Sequence, residues 1–270
     1  LDAIVEQNPN DPKGYAIYGD FLSRDLNNEE ALKMYKKATR LEGGNIFDIW
    51  EQILLIEIQA EMWDSLAVDG PEAVSLFPNR PLPYFFSGIA FNMTGQQSEA
   101  VDYLENGLNY VIGNPRLKEQ FYTQLADVYH RMEDHKQSDA YFEKVLTLNE
   151  SNATALNNYA YYLSVRGEQL EKALKMSERS NALSADNAIF LDTWAWILYR
   201  MENYEKALEI IERAMKHGGQ KSGEVIEHYG DILYKNGMKE RAVEQWRNAR
   251  EAGGATPAID EKINTQSIVE

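Results

Sequence analysis

A small residue recurs along this chain at nearly constant intervals, and this periodicity constrains the fold more than any other feature. The intervals between successive positions, which we call anchors, are 35, 34, 38, 34, 35 and 35 residues. Self-similarity with a period of about 20–50 residues is typical of repeat architectures. All anchors are small residues except the second, which is a leucine. The anchors are Gly19, Leu54, Gly88, Ala126, Ala160, Ala195 and Gly230.

Each period contains two further positions that are usually small, the first about 12 residues after the anchor and the second 7 residues later. Turn-like stretches such as KNGM (235–238) lie between the anchor and the first of these. Helical periodicity flanks the turns, as in YEKALEIIERAM (204–215), where apolar residues share one stripe. Small residues are needed where two antiparallel helices cross, because larger side chains push the axes apart. Each period therefore predicts a helix, a short turn and a second helix.

This pattern resembles that of the tetratricopeptide repeat family, whose motif is an aromatic-Leu-Gly-Tyr-Ala-Phe-Ala-Pro series at about 34 residues. The resemblance is good in YGDFL…EEALKMYKKA (18–38), WAWIL…YEKALEIIERA (194–214) and YGDIL…ERAVEQWRNA (229–249), and weak in the second period. It implies an all-α fold, a right-handed α-α superhelix of about seven stacked helix pairs that presents a concave groove to partners. The chain as a whole also resembles bacterial repeat-rich proteins of the cell envelope.

The repeat register predicts a domain organisation with two flanking segments. Residues 1–9 are expected to be the end of a second helix from a truncated upstream repeat, and a native capping helix over Leu1–Gln7 is the alternative. Residues 253–270 are expected to form a capping helix and a tail, since a solenoid needs a capping element over its last repeat. Seven repeats are predicted between these segments, at about 12–45, 47–79, 81–118, 119–151, 153–186, 188–221 and 223–252.

Two irregularities interrupt the register. Gly70-Pro71 falls inside the expected second helix of the second repeat, where an interior proline, which costs about 3 kcal/mol, should break or kink it. The 38-residue interval holds four extra residues near 109–120, which predicts a lengthened helix or a protruding connection.

Charge and composition exclude several classes of function. A net charge of −16 argues against nucleic-acid binding, because that affinity depends on Lys and Arg neutralising phosphates. No apolar run is long enough to span a membrane. The chain has no cysteine, none of the common phosphate-binding or nucleophile motifs, and no HExxH. His130 beside Asp127 is interpreted as an incidental surface pair. We therefore expect no enzymatic activity, no cofactor and no metal.

The resemblance also implies which residues line the groove, namely those three before, one after and four after each anchor. In the fifth to seventh repeats these positions and their neighbours form an aromatic and polar set, and aromatic residues and arginine are enriched at binding hot spots. Packing against the adjacent repeat is the open alternative for these residues. The preferred peptide site comprises Asn157, Tyr161, Asp192, Trp196, Tyr199, Arg200, Tyr234 and Lys235. A secondary apolar groove comprises Leu55, Ile58, Phe85 and Ile89.

The repeat register predicts different environments for two nearby tryptophans. Trp194 occupies the slot of Tyr159 and Tyr229, so it should be buried against the second helix of its own repeat. Trp196 shares its slot with aspartates in three other repeats, so it is not an obligatory core residue.

The functional prediction is a non-catalytic protein-interaction scaffold that captures a peptide or protein segment in the groove. One alternative is a structural subunit that assembles through stacked repeats or self-association, and another is a regulatory region of an enzyme whose catalytic part is missing. The identity of the protein partner and the oligomeric state stay open. The expected location is the bacterial cell envelope, on the periplasmic side and with a lipid anchor on a removed N-terminus as one option; the cytoplasm is the alternative.

Overall fold

Paired helices make up most of the described chain. The computed structural model describes residues 2–269, and the side chains from Val5 onward. This part contains sixteen α-helices and no strand. It divides into two compact units, the first ending at Lys144 and the second beginning at Val145. The predicted all-α fold of helix-turn-helix pairs is confirmed.

The helices alternate between two classes, which we call first and second helices of a hairpin. The first helices are α2 (Pro12–Arg24), α4 (Phe47–Gln59), α6 (Pro81–Met93), α8 (Pro115–Arg131), α10 (Ala153–Arg166), α12 (Ala188–Arg200) and α14 (Gly223–Lys235). The second helices are α3 (Asn28–Thr39), α5 (Trp63–Leu76), α7 (Gln97–Leu108), α9 (His135–Leu148), α11 (Leu170–Leu183), α13 (Tyr204–Lys216) and α15 (Lys239–Ala252). Two short helices flank them: α1 (Asp2–Gln7) and α16 (Ile259–Thr265).

Every hairpin turn contains a residue with positive φ seven positions after the anchor. A left-handed residue at this place ends the first helix and reverses the chain into the second. The fifth hairpin has an additional left-handed residue, Gln169, which explains why its next small residue, Ala173, comes one position late. The seven residues are Leu26, Glu61, Gly95, Glu133, Gly167, Glu202 and Gly237.

The anchors are small because a large side chain of the second helix packs directly on them. A Cβ atom added at Gly19 would lie 2.6 Å from the ring of Tyr35, sixteen residues later, and one at Gly230 would lie 2.5 Å from Trp246. The second hairpin departs from this arrangement, since its anchor Leu54 is large and the residue sixteen positions later is Gly70, whose nearest neighbour is Ser87 of α6. Small anchors therefore permit the two helices of a hairpin to cross closely.

The two sequence irregularities have different outcomes. Of the break or kink predicted at Gly70-Pro71, the break is wrong, because α5 continues as one α-helix through Leu76. Gly70 lies at a close approach to α6, where an added Cβ would be 2.5 Å from Ser87 Oγ. The four extra residues lengthen a helix as predicted: α8 has 17 residues, whereas the other first helices have 13 or 14.

A buried charged cluster joins the first two hairpins. Lys36 Nζ lies 2.7 Å from Glu57 and 2.6 Å from Asp69, and Ser65 donates a hydrogen bond to Glu57. Burial, together with the neighbouring Asp69 carboxyl group, raises the pKa of Glu57 to about 7. This cluster links α3, α4 and α5 within the first unit.

Helix α16 covers the last hairpin. Ile259 is buried in the core formed by α12–α15, and Lys262 Nζ lies between Glu227 (2.8 Å) and Asp231 (2.7 Å) of α14. Thr256 donates to the Glu227 carboxylate through its backbone N–H, at 2.6 Å, and through its hydroxyl. Burial disfavours the charged carboxylate, but these contacts outweigh it and lower the pKa of Glu227.

Candidate functional site

The preferred site residues lie on the first helices of the second unit. Helix α12 contacts both α10 and α14, so these three helices present one continuous surface. We call this surface, formed by α10, α12 and α14, the first-helix face of the second unit. The following contacts determine which side chains are available on it.

Asp192 and His228 form a buried pair between α12 and α14. His228 Nδ1 lies 3.0 Å from each carboxylate oxygen of Asp192, and both residues are less than a tenth exposed. Burial disfavours the imidazolium, but the Asp192 carboxylate outweighs burial and raises the pKa of His228. Asp192 therefore holds two helices together, and a partner would reach it only after rearrangement.

Trp196 is part of a stack of aromatic rings. Its indole is nearly parallel to the Tyr199 ring, with centroids 4.8 Å apart, and to the imidazole of His228, with centroids 4.1 Å apart. Tyr199 in turn meets Tyr204 edge-on at 5.6 Å. Trp196 and Tyr199 remain half-buried rather than fully buried. The stack therefore combines packing against the next hairpin with a partly accessible aromatic surface.

Two polar contacts bind the three first helices to one another. The Tyr161 hydroxyl donates to Glu224 Oε1 at 2.7 Å, which connects α10 with α14. Burial, followed by this hydrogen bond, raises the pKa of Tyr161. Arg200 Nη1 donates to the Val165 carbonyl near the end of α10 at 3.1 Å. Tyr161 and Arg200 are both half-buried, so part of each side chain faces solvent.

The remaining residues of the preferred site are not part of this group. Asn157 is buried, and its amide lies 3.4 Å from Asn158 Oδ1. Tyr234 is tilted against Trp246 at 5.8 Å. Lys235 is exposed and lies 5.8 Å from the centroid of the Tyr204 ring. Of the eight residues, the structure brings together Tyr161, Asp192, Trp196, Tyr199 and Arg200 through their contacts on α10, α12 and α14.

The secondary apolar groove lies in the first unit. Leu55, Ile58 and Ile89 are half-buried. Phe85 is buried, and its ring packs against Phe121 of α8, with centroids 5.0 Å apart. Phe85 therefore serves the packing between hairpins, which leaves three of the four side chains partly accessible.

The prediction for Trp194 requires a correction. It faces α13, the second helix of its own hairpin, where Lys206 Nζ lies 5.8 Å from the ring centroid. It is half-buried, however, rather than fully buried as predicted. The core of this hairpin is formed instead by smaller side chains, among them Leu191, Ala195 and Leu198.

Sequence reasoning missed the role of three polar residues, His228, Glu224 and Lys262. The register contains a signal for the first, because Asp192 is three positions before its anchor and His228 is two positions before the next one. An acid and a base at these offsets indicate a pair between consecutive first helices. Glu224 and Lys262 have no comparable signal, since their partners depend on how α14 and α16 are placed.

Metal-binding clusters and membrane-spanning helices are not found among the described residues. Within residues 2–269, no group of three His, Asp or Glu side chains is arranged to hold a metal ion. None of the helices described is both long and apolar enough to cross a membrane.

Comparisons with known proteins agree with this architecture. Residues 119–152 match the tetratricopeptide repeat model. The chain is 24% identical over 226 residues to a TPR repeat-containing protein of Methanocaldococcus jannaschii, a match that covers 79% of this chain and 38% of that protein. The chain therefore spans well under half the length of that relative.

Solved structures show the same fold at low sequence identity. A tetratricopeptide repeat protein from Parabacteroides merdae has a TM-score of 0.76 and 16% identity, covering 94% of this chain and 98% of that one. The APC/C hetero-tetramer Cut9–Hcn1 has a TM-score of 0.69 and 13% identity, covering 98% of this chain and 51% of the other. These likenesses establish a solenoid of paired helices.

Proposed function

Because this chain is a tetratricopeptide repeat protein, we propose that it is a non-catalytic scaffold that captures a segment of a partner protein on the first-helix face of its second unit. The fold suggests protein–protein interaction in general terms. The observation that favours this face is the set of half-buried rings of Tyr161, Trp196 and Tyr199, held by contacts with Glu224 and His228.

Rigid aromatic side chains suit this role for a physical reason. An aromatic ring offers a large contact area, and a ring that is already held in place loses little conformational entropy when a partner binds. The Tyr199–Trp196–His228 stack and the Tyr161–Glu224 hydrogen bond immobilise the rings before binding. Arg200, also half-buried, adds a cation beside them.

The test compares capture of protein partners by the wild type and by the double variant Trp196→Ala/Tyr199→Ala. We expect the affinity of the double variant for the captured partner proteins to fall by at least about tenfold, since hot-spot residues contribute roughly 2 kcal/mol or more each. The matched control is Tyr84→Ala/Tyr110→Ala, which removes a half-buried stacked pair (centroids 5.4 Å apart) from the first unit. Circular dichroism checks that each variant is folded. If the folded double variant retains every partner at full affinity, the proposal is wrong.

Assembly through stacked repeats remains the second candidate, and the Cut9–Hcn1 structure, described as a hetero-tetramer, offers a precedent with the same fold. Sedimentation at several concentrations separates this candidate from the first. A chain that stays monomeric throughout disfavours self-association, whereas concentration-dependent growth supports it.

A further inference from the structure

Two mostly buried clusters in this chain each place two carboxylates around a single lysine. Lys262 pairs with two carboxylates of α14, and we call this group the α16 cluster. Lys36 of α3 pairs with Glu57 of α4 at 2.7 Å and with Asp69 of α5 at 2.6 Å, and we call this group the α3–α5 cluster. With both carboxylates ionised, each cluster carries one more negative than positive charge.

Uncharged donors complete the α16 cluster. Thr256 donates to Glu227 through its backbone N–H and its hydroxyl, and Trp246 Nε1 donates to Asp231 at 2.9 Å. Burial disfavours both charges. The hydrogen bonds at Glu227 outweigh burial and lower the pKa of that carboxyl group, whereas burial prevails at Asp231 and raises its pKa. The number of donors therefore decides how readily a buried carboxyl group stays ionised.

The α3–α5 cluster has fewer donors. The Ser65 hydroxyl donates to Glu57 Oε1 at 2.7 Å, and Lys36 lies against the same oxygen. Glu57 is fully buried, and no donor among the described residues reaches its second oxygen, Oε2. A buried carboxylate oxygen without a donor is costly, and the Asp69 carboxyl group within hydrogen-bond reach adds a like charge. A proton on Glu57 relieves both costs, because it removes one charge and creates a hydroxyl that can donate to Asp69.

We propose that the α3–α5 cluster is a pH-sensitive switch, which holds α3, α4 and α5 together while Glu57 and Asp69 share a proton and loosens them when that proton passes to solvent. In the protonated form, the ammonium group of Lys36 balances the one remaining negative charge. After proton loss, two carboxylates compete for that ammonium group, and their repulsion favours separation of the helices. Burial, followed by the neighbouring Asp69, raises the pKa of Glu57 to about 7, so the change falls near neutral pH.

The charges around Glu57 come from two neighbouring helices. Helix α4 packs against α3, α5 and α6. Helix α3 contributes Lys36, α5 contributes Asp69, and the sequence of α6 contains no charged residue. Charged residues of α2, Lys13 and Asp20, line a cavity beside the first turns of α4, more than two turns before Glu57. The switch therefore depends on the balance between one lysine and two carboxyl groups.

Infrared difference spectroscopy tests whether the proton is present, because a protonated carboxylic acid has a carbonyl band that a carboxylate lacks. Subtracting the spectrum of Glu57→Gln from that of wild type isolates the band of Glu57. We expect this band at about pH 6 and its loss with a midpoint near pH 7. Asp69→Asn removes the like charge and should lower the midpoint by at least about one pH unit, whereas Glu72→Gln, at an exposed glutamate of α5, should leave it unchanged. Absence of the band at about pH 6, or an unchanged midpoint in Asp69→Asn, would overturn the proposal.

Urea unfolding measures the stability linked to the proton. Because the pKa of Glu57 is raised in the fold, its protonated form contributes stability that is fully present below the ordinary glutamate pKa of about 4.3 and is lost as pH rises to the folded value. Glu57→Gln keeps a neutral side chain at every pH. Between about pH 5.5 and 8, we expect the unfolding equilibrium constant of wild type to rise at least about tenfold relative to that of Glu57→Gln. The same ratio at both pH values would contradict the switch.

Hydrogen exchange shows whether the helices loosen. After correction for the intrinsic pH dependence of exchange, we expect amides of α3 and α5 to exchange at least about fivefold faster at pH 8 than at pH 6 in wild type. Glu57→Gln should show no such increase, and amides of α13, in the second unit, serve as the internal control. Equal protection of α3 and α5 in wild type at both pH values would show that proton loss does not open the cluster. The second unit takes no part in this switch, so its failure would leave the proposed partner surface untouched.

Discussion

The α2/α4 junction of the first unit and the α12/α14 junction of the second are built on the same register but have opposite contents. In the first unit, Ala16 and Gln52 line a cavity of about 360 Å³ whose apolar wall includes Ile17, Ile46 and Ile49. In the second, Asp192, His228 and Trp196 fill the equivalent space with an ion pair and stacked rings. The helical framework is therefore common to the two junctions, while the side chains at equivalent register positions differ.

This difference also changes how an aromatic-rich groove should be interpreted. A cluster of Trp and Tyr at groove positions suggests a binding surface, but the same rings pack well against the next first helix. The first-helix face of the second unit consequently carries partly accessible rings that are already held in place, whereas the α2/α4 junction of the first unit contains an open cavity.

The largest expected effect comes from opening the junction between α14 and α16. Replacing Lys262 with methionine leaves Glu227 and Asp231 buried without their cation, and breaking a buried ion pair in this way costs about 3–5 kcal/mol. Urea unfolding monitored by circular dichroism measures the loss. Lys175→Met, at an exposed lysine of α11, should change the free energy of unfolding by less than about 0.5 kcal/mol. A loss in Lys262→Met no larger than in this control would show that charge pairing does not close the junction.

The next effect concerns the ring stack. Trp196→Ala removes contacts with Tyr199 and His228, and we expect a loss of about 2–3 kcal/mol, below the range for fully buried tryptophans because this one is half-buried. Trp196→Phe keeps one ring for stacking and should retain most of the stability. Unfolding curves of the two variants measure the difference. If both lose the same amount, a ring retained at this position adds no stability, and the stack does not stabilise the fold.

Much of the fold was predictable because it depends on local spacing. The anchors are small for the reason the register indicates, namely the approach of Tyr35 to Gly19 and of Trp246 to Gly230. The break at Pro71 was wrongly predicted because the helix is held by its neighbours, including the close approach of Gly70 to Ser87. Helix propensity describes an isolated helix, and tertiary packing around α5 overrides the low helix propensity of proline.

The site was less predictable, because whether a side chain is accessible to a partner depends on contacts between residues far apart in sequence. Tyr161 and Glu224 are 63 positions apart, and Asp192 and His228 are 36 apart. The register indicates which face each side chain is on. It does not indicate whether a neighbouring helix buries the side chain and provides a counter-charge. Helix α14 does so for Asp192, whereas Asp20 remains exposed.

A smaller effect, dependent on pH, tests the closed junction directly. The pKa of His228 is raised in the fold, so its charged form contributes stability that is fully present below the ordinary histidine pKa of about 6.5 and is lost as pH rises through the folded value. The stability of wild type relative to His228→Gln should therefore be greatest near pH 5.5 and shrink toward pH 8.5. Asp192→Asn removes the carboxylate that raises the pKa, so it should remove this pH dependence. A constant difference between wild type and His228→Gln across the range would contradict the pairing.

The smallest expected effect distinguishes two contacts that hold the first helices of the second unit together, the Tyr161–Glu224 hydrogen bond and the ring stack of Trp196. Tyr161→Phe keeps the ring and removes only the hydrogen bond to Glu224, which should cost about 0.5–1.5 kcal/mol. Glu224→Gln weakens the same bond, so the double variant should lose little more than Tyr161→Phe alone in urea unfolding. If Tyr161→Phe instead costs as much as Trp196→Ala, the bond from α10 to α14 closes this unit and the ring stack is secondary. The open junction of the first unit would then be explained by a missing contact across two hairpins, rather than by the missing acid–base pair at Ala16 and Gln52.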